Sequence, residues 1–274
     1  EDIPTEEIGA DDSVYVGETR REIIVTASLL GGGTRMDAFR QAGGRSVLEL
    51  AGAKDVGYTT VAAALDRTPG VRSVEDGASA LGSNTLNVGV RGTDPRLSRS
   101  ATVMLDEVPI APAPYGQPEL SLFPISIFSI ARVDTVRGGS SVRFGPRTTG
   151  GVINLISAPI PENPTISVFA HSDQFGDAGV ATSYGATHKK LGMYFEYAPR
   201  FGKTYRENSE FQAHSGLVKF AFPAGKKVDF LSTTHLSWER RGLPGGLDEA
   251  QYAEDRYQSE RADDRFDGRR VGTS

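Results

Sequence analysis

Arginines spaced between glycines near the middle of the chain are the residues best suited to chemistry. Residues 130–157 carry four of them between apolar segments and glycine turns, at Arg132, Arg137, Arg143 and Arg147. A glycine loop with cations can cradle phosphate, but the GK[ST] ending of a P-loop is missing and a strand-like segment follows where a helix should be. We therefore interpret the glycines as tight turns. The arginines would pair with carboxylates on an enclosing wall, because an unpaired buried guanidinium is costly.

Residues for catalysis or for a metal site are sparse. The chain has no cysteine and no GxSxG motif, and its four histidines lie too far apart for a zinc motif such as HExxH: His171, His188, His214 and His235. Asp106 and Glu107 are adjacent, but we expect them in a strand, where successive side chains point to opposite faces and cannot work as an acid–base pair. We expect a protein that is not an enzyme and that holds no cofactor or metal of its own.

The composition narrows the class of partner. The chain has 274 residues with 30 basic and 35 acidic side chains, and its net charge of -5 argues against a nucleic-acid partner, which needs a basic face. Glycine accounts for 32 of the 274 residues, about 12% where about 7% is usual. No apolar run approaches the roughly 18 residues of a membrane helix. The high glycine content predicts many turns or closely packed strands.

The N-terminal region divides into a leader and a short β-branched segment. Six of the first twelve residues are acidic and residues 1–20 show no apolar period, so we predict an acidic flexible leader there. In residues 21–42, which follow, the run REIIVTAS has the pattern of an isolated strand with no neighbour to pair with. Such a segment can bind by adding itself to the sheet edge of another protein. A plain flexible linker is the alternative interpretation.

Residues 43–160 have the mixed pattern of a small α+β domain. A helix is expected in residues 59–71, which begin with threonines and end at Pro-Gly. Strands are expected in residues 85–92, 101–110 and 150–157, and residues 125–139 predict a short helix or turn that runs into another strand. Together these segments predict a domain with a small mixed sheet.

Residues 164–274 alternate between apolar and polar side chains, as β-strands do. One such segment places four large apolar side chains on one face: Leu191, Met193, Phe195 and Tyr197. A transmembrane β-barrel and a soluble β-sandwich both give this period. The links favour the barrel, since those at residues 187–190 and 223–227 are short while residues 200–210 and 240–264 form long polar ones. We therefore predict antiparallel transmembrane β-barrel strands.

Several motifs together resemble those of the TonB-dependent outer-membrane receptors. VDTVRGGSSVRFGPRTTGGVINLIS (133–157) is similar to the end of their plug domain, and VGVRGTDPRLSRSATVMLDEVPI (88–110) and TTVAAALDRTPGV (59–71) are similar to its earlier segments. REIIVTAS lies where the family carries its TonB box, which we assign to Ile23, Ile24, Val25 and Thr26. The resemblance implies an integral protein of the bacterial outer membrane, with its plug and N-terminus facing the periplasm. Its implied partners are TonB with the inner-membrane energising complex, and the surrounding outer-membrane lipid.

The resemblance also implies a substrate. Residues 113–126 and 243–270 are most similar to the ferric citrate (iron dicitrate) receptors of the family, so the implied substrate is ferric citrate or a similar ferric chelate, and iron enters only in chelated form. The plug residues that match the ligands of those receptors are Arg91, Gln117 and, in a loosely aligned loop, Ser79. Arg96 is a further positive charge at the plug surface, and Tyr115 could pack against the ligand beside Gln117. The alternative role of Arg91 is a salt bridge between plug and barrel wall. That of Gln117 is a turn residue, and that of Arg96 is a charge solvated in a loop. Arg132 and Arg137 are assigned to anchoring the plug to the barrel.

The chain length limits how many barrel strands can follow the plug, and other protein classes remain as alternatives. The family's barrel has roughly 22 strands, and only 110 residues follow Pro164 (274 minus 164), enough for five or six strands of about ten residues. We therefore expect an incomplete barrel and a native chain that continues beyond it. The alternatives to a ferric citrate transporter are a receptor of the same family for another ferric siderophore, a surface adhesion or phage-binding β-barrel, and a soluble sugar-acting enzyme.

Overall fold

The computed structural model contains two β-sheet regions that pack on each other. It describes residues 44–50, 57–73, 86–95, 98, 100–110, 125–138, 141, 144, 148–172, 174, 176–225 and 228–274. The first region holds a five-stranded sheet and a two-stranded ribbon, and the second holds six strands. The expected combination of an α+β domain with antiparallel barrel strands is confirmed.

The N-terminal domain, which ends with residue 157, is built on a mixed sheet. In chain order its elements are β1 (Gly44–Glu49), α1 (Val61–Leu65), β2 (Val71–Ser73), β3 (Val88–Val90), β4 (Ala101–Leu105), β5 (Val108–Pro109), a 3₁₀ turn (Ile127–Ser129), β6 (Ile130–Arg137) and β7 (Gly151–Ser157). The sheet has the order β1-β6-β7-β4-β5, in which β4 and β7 run parallel and the other neighbours are antiparallel. β2 and β3 form the separate ribbon.

Apolar residues of the central strands form the core of this domain. β4 and β7 are nearly continuous apolar runs, which is typical of strands covered on both faces. Their side chains Val103, Ile153 and Leu155 are buried in one cluster with Leu65 of α1. Burying one such side chain contributes about 1.5–3 kcal/mol. The helix is thus part of the same core as the sheet.

Helix α1 is shorter than the sequence predicts. Its expected start is confirmed, since the Thr60 side chain accepts a hydrogen bond from the Ala63 N–H at 3.1 Å. It ends at Leu65, because the following chain turns back into β2 through Gly70, whose φ is +74°. Arg67, which the helical spacing included, therefore lies beyond the helix.

Residues 101–110 form a hairpin, so the prediction of one continuous strand is wrong. β4 and β5 are joined by Asp106 and Glu107, which have positive φ angles of 48° and 67°. Two successive left-handed residues make a tight turn that matches the twist of a hairpin. Side chains fix this turn to β7, since Asp106 accepts from the Ser157 N–H at 2.8 Å. The Asn154 side chain accepts from the Glu107 N–H at 2.9 Å.

The second region is a meander of six long strands. In chain order they are β8 (Thr165–Ser172), β9 (Ala178–His188), β10 (Leu191–Gly202), β11 (Phe211–Pro223), β12 (Asp229–Gly242) and β13 (Arg265–Thr273). Each strand pairs antiparallel with the next.

The two longest connections between these strands lie at the same end of the sheet, as expected. Residues 189–190 and 224–228 are the short connections at one end. The other end carries loop 1 (residues 173–177), loop 2 (residues 203–210) and loop 3 (residues 243–264), which contains helix α2 (Glu249–Glu254). Six strands also agree with the expected five or six.

Burial along these strands is reversed relative to a soluble sheet. One face, called the outward face, exposes apolar side chains such as Ile166 (75%), Tyr197 (50%) and Val271 (71%). The opposite inner face buries polar side chains, among them Glu196 and Lys219. An apolar exterior with a polar interior is the pattern of a transmembrane barrel. No helix in the described ranges is long and apolar enough to cross a membrane.

The N-terminal domain packs against the inner face through contacts that we call the seam. The Ser129 hydroxyl donates to the Glu196 carboxylate, and the Lys219 ammonium nitrogen lies 4.0 Å from an Asp106 carboxylate oxygen. The ring of Phe128 lies 4.6 Å from that of a phenylalanine of β8. These partners matter because a buried charge without one costs several kcal/mol. The polar side chains of the inner face thus find hydrogen-bond and charge partners in the N-terminal domain.

A buried ion pair closes the seam at the loop end of the sheet. Asp177, just before β9, accepts hydrogen bonds from the Arg200 guanidinium, and His171 Nε2 lies 3.6 Å from Asp177 Oδ1. Arg200 also donates from Nη1 to the Thr59 carbonyl oxygen of the N-terminal domain at 3.3 Å. Burial alone would raise the pKa of Asp177, but the hydrogen bonds from Arg200 and the nearby His171 ring outweigh burial and lower the pKa from 3.8 to about 2.

Loops 2 and 3 are braced as one unit by the side chain of Arg206. Its Nη1 donates to the Gly245 carbonyl at 2.6 Å, and its Nη2 donates to the carbonyls of Pro244 (3.3 Å) and Gln258 (3.0 Å). A planar guanidinium fork suits several fixed acceptors, whereas a lysine ammonium is a point charge. Arg206 therefore joins three backbone positions of loop 3 to loop 2.

Glycine at the end of β12 allows the two loops to approach each other. The Asn208 side-chain amide donates to the Arg261 and Asp264 carbonyls of loop 3 at 2.6 Å and 3.0 Å. A Cβ at Gly242 would collide with the Asn208 carbonyl oxygen. A larger residue at position 242 would thus push loop 2 away from loop 3.

Replacing Asp177 with asparagine should destabilise the protein at neutral pH. Because its pKa is lowered, the carboxylate stabilises the folded state above about pH 4, and this contribution is lost as the pH falls toward 2. It amounts to about 2 kcal/mol at neutral pH. Urea unfolding of the full-length protein between pH 7 and pH 2 should show a smaller pH dependence for Asp177→Asn. Asp267→Asn is the control, since its pair with Arg240 is exposed and contributes at most about 1 kcal/mol. An unchanged pH dependence in Asp177→Asn would contradict the assignment.

Replacing Arg206 with lysine should loosen loop 3 without unfolding the sheet. Losing two or three hydrogen bonds, each contributing about 1 kcal/mol net, should speed hydrogen exchange of loop 3 amides by about 30-fold or more. Mass spectrometry of peptides covering residues 243–264 measures this directly. Arg261→Ala, which removes an exposed arginine of the same loop, is the matched control. Equal exchange in Arg206→Lys and wild type would mean that loop 3 holds its shape alone.

Candidate functional site

One predicted substrate residue, Arg91, lies in the described part of the chain. Ser79, Arg96, Tyr115 and Gln117 lie outside the described residues. The proposed TonB box also lies outside them: Ile23, Ile24, Val25 and Thr26. Their roles stay predictions.

Arg91 presents an exposed guanidinium from a rigid turn after β3. Its backbone has a φ of 59°, and its N–H donates to the Gly70 carbonyl at 2.7 Å. The turn is closed by Thr93, whose hydroxyl donates to the Val90 carbonyl at 2.9 Å. Arg91 Nη1 lies 3.3 Å from the point that a Cβ on Gly138 would occupy. Within the described ranges Arg91 forms no salt bridge, so its charge remains available to a ligand.

Arg137 brings a second cation close to the same place. Its guanidinium donates to the Pro69 carbonyl and to the Ser46 hydroxyl, both in the N-terminal domain. Its Nη1 lies 3.5 Å from the Cβ position of Gly70, the residue that accepts from Arg91. Arg91 and Arg137 thus border one edge of the domain, which we call the cationic edge. This edge favours an anion, because guanidinium forks match carboxylate geometry.

Anchoring by Arg132 and Arg137 stays a prediction, and the structure adds other residues to that role. Arg132 is half-buried, and its Nε makes no hydrogen bond within the described ranges. The seam instead includes Glu196, Arg200 and Lys219, which sequence reasoning did not single out. Their signal was present, since period-two alternation places all polar positions of a barrel strand on the inner face. Which of them meets the plug depends on the docking of the two regions.

Another inner-face arginine missed by sequence reasoning lies at the loop end of β12. Arg241 is buried, its Nη1 is 3.6 Å from Glu239 Oε1, and its guanidinium carbon lies 5.0 Å from the centre of the Phe266 ring. Arg241 Nη1 makes no hydrogen bond in the described part of the chain. Arg241 is therefore a buried cation of the inner face whose neighbouring carboxylate is Glu239.

One of the cavities at the seam is too small for a chelate. A cavity of about 30 Å³ lies between Thr60, Ser126, His171 and Ser215, which is the volume of about one water molecule. No group of three or more metal-binding side chains occurs among the described residues. The arrangement as a whole can hold an anionic ligand by charge at the cationic edge.

Comparison with known proteins assigns the N-terminal domain. Residues 37–152 match the family described as TonB-dependent Receptor Plug Domain. The vitamin B12 transporter BtuB of Photobacterium profundum is 34% identical over 128 residues, which is 46% of this chain and 20% of that protein.

Solved structures extend the likeness into the six-stranded sheet. The unliganded ferric citrate transporter FecA is 33% identical with a TM-score of 0.75, covering 89% of this chain and 39% of that one. The ferric yersiniabactin uptake receptor FyuA of Yersinia pestis has a TM-score of 0.65 at 14% identity over 84% of this chain, and it shows the fold alone. The chain spans two fifths or less of the lengths of these relatives. Residues 37–152 therefore belong to the plug-domain family of the TonB-dependent receptors, and the likeness to FecA reaches far beyond the plug into a set of barrel strands.

Proposed function

We propose that the complete receptor imports ferric citrate across the outer membrane into the periplasm, energised by TonB. The observation that carries this proposal is the 33% identity with the ferric citrate transporter over 89% of the chain. That identity is far above the 14–16% seen with receptors for other siderophores, for which only the fold is alike. It therefore supports a shared substrate class as well as a shared architecture.

Charge supports the same substrate. Ferric citrate is an anionic chelate rich in carboxylates, and carboxylates pair best with arginine forks. The cationic edge supplies an exposed Arg91 beside Arg137. A site walled by low-dielectric protein strengthens such pairs relative to open water. The predicted ligands Ser79 and Gln117 would add neutral hydrogen-bond donors.

Energy coupling is proposed to act through residues 23–26. An extended β-branched segment can add to a sheet edge of TonB through backbone hydrogen bonds. Pulling on it would load the seam, where the contacts of Ser129, Asp106 and Thr59 with the inner face hold the plug. Each such contact contributes on the order of 1 kcal/mol, so they can be broken in sequence. Ligand release would follow displacement of the cationic edge.

Import of vitamin B12 is a second candidate, because a vitamin B12 transporter is 34% identical to this chain. That identity is confined to 128 residues, 46% of the chain. We rank it below ferric citrate because the likeness to the ferric citrate transporter covers about twice that share. Both substrates enter the uptake experiment that follows.

Replacing Ile24 with proline should abolish uptake. Proline removes a backbone donor that strand addition needs, while binding at the cell surface should persist. The measurement is accumulation of labelled ferric citrate, and separately of labelled vitamin B12, in iron-starved cells whose sole receptor is the complete protein. Ile24→Val, which keeps the donor, is the control and should transport normally. Uptake of vitamin B12 alone would replace the proposed substrate, and normal uptake with Ile24→Pro would reject the box assignment.

Replacing Arg91 with alanine should weaken ferric citrate binding about tenfold or more. A charge-assisted hydrogen bond to a carboxylate contributes about 1.5–3 kcal/mol. Titration calorimetry on the purified complete receptor measures the change. Arg72→Ala is the matched control, because Arg72 is an exposed arginine on β2. Equal affinities of wild type and Arg91→Ala would remove Arg91 from the site.

A further inference from the structure

The outward face of the sheet carries a groove near its loop end. The groove has a volume of about 480 Å³ and is lined by Tyr197, His214, Leu236, Trp238, Arg269 and Val271. Its floor is Gly216, which pairs with Tyr197 on one side and with Leu236 on the other. The missing side chain at this position leaves the gap. A volume of this size falls in the usual range for small-molecule sites.

Aromatic side chains place the groove at one edge of the apolar band. Phe222 and Phe230 lie with ring centres 4.9 Å apart near the short connections, and Trp238 lies eight residues beyond Phe230 on β12 (238 minus 230). Eight residues span about 26 Å along a strand, or about 20 Å along the membrane normal at the usual barrel tilt. A barrel's apolar band is about 25 Å tall and carries aromatic girdles at both edges. Trp238 therefore marks the level of lipid headgroups.

One wall of the groove is a rigid aromatic ladder. The ring centres of His214 and Trp238 are 4.9 Å apart, and His214 Nδ1 is 2.6 Å from the Tyr197 hydroxyl. Trp238 Nε1 donates to Asp267 at 3.2 Å. Because these side chains hold one another, the groove is preformed and does not depend on a ligand to open it.

A cation stands at the mouth of the groove. Arg269 is exposed on the outward face directly across from Trp238. The neighbouring Arg240 is paired with Asp267 at 3.0 Å, whereas no hydrogen bond or ion pair to Arg269 occurs within the described ranges. A charge on the lipid face costs about 2–4 kcal/mol at the membrane midplane and about 0–1 kcal/mol near the surface. Arg269 therefore belongs at headgroup level, where a lipid phosphate can meet it.

We propose that this groove binds a phosphorylated membrane lipid. The headgroup phosphate lies on Arg269, and an acyl chain lies across Gly216 between Tyr197 and Leu236. The guanidinium fork matches phosphate geometry, and the apolar floor matches the chain. A soluble anion would leave the apolar floor unused. The groove is on the face opposite the plug, so this lipid is separate from the transported substrate.

The test is lipid binding by the complete receptor in detergent micelles, measured by native mass spectrometry. The probes are lipid A with both phosphates and dephosphorylated lipid A with the same acyl chains. Wild type should bind the phosphorylated form at least tenfold more tightly. Arg269→Ala should lose this preference and keep its affinity for the dephosphorylated form.

Two further variants separate the groove from general charge. A Cβ at Gly216 would meet its nearest neighbours at 3.6 Å, an ordinary contact, so Gly216→Phe should fill the groove without disturbing the sheet and should weaken binding of both lipids. Arg256→Ala removes an exposed arginine of loop 3 and should change nothing. Retained binding of the transported substrate verifies that each variant is folded.

Three results would overturn the proposal. The first is equal affinity of wild type for the two lipids. The second is an equal loss of preference in Arg256→Ala, which would mean that net charge alone attracts the lipid. The third is a receptor dimer that Arg269→Ala dissociates, which would make the groove an interface between two copies of the receptor.

Discussion

The polar inner face of the six-stranded sheet needs a partner, and the N-terminal domain provides it. Strands that face lipid on one side must present apolar groups there, so their polar side chains collect on the other side. Glu196 and Lys219 are buried in consequence and Arg200 is half-buried, and unpaired charges would be costly at such positions. The N-terminal domain pairs with them through the Ser129 hydroxyl, the Asp106 carboxylate and the Thr59 backbone carbonyl. The plug is therefore a structural requirement of the sheet.

The seam and the core of the plug are held by different forces. Within the plug, a cluster of large apolar side chains packs around β4, β6 and β7. The sheet contributes Ala181, Ala198 and the partly buried Phe169 to that cluster, whereas the Ser129–Glu196 and Thr59–Arg200 contacts across the seam are polar. Polar contacts of about 1 kcal/mol each can exchange with water one at a time, whereas an apolar core yields only as a unit. A pulling force should accordingly meet less resistance at the seam than inside the plug.

Arginine serves three separate purposes in this chain, and its surroundings decide which. Arg91 is exposed and unpaired by any described carboxylate, so it can meet an anion. Arg206 spends its donors on backbone carbonyls and gives loop 3 its shape. Arg269 faces outward beside Trp238, at the level where lipid phosphates lie. The same guanidinium group therefore binds an anion, holds a loop or meets a lipid phosphate, depending on which acceptors lie within its reach.

The amino-acid sequence by itself determined the two regions, the mixed sheet, the strand faces and the sorting of loops, because apolar period and turn residues are local properties. The sequence-based prediction of residues 101–110 was wrong because the conformation there depends on contacts with a distant segment. The turn at Asp106 and Glu107 is held by hydrogen bonds with Ser157 and Asn154, and these residues are about fifty positions away. The residues that hold the plug could not be chosen from the strand period, which marks every inner-face polar residue alike. Only the tertiary structure decided which of them meet the plug, because pairing depends on how two separately patterned surfaces dock.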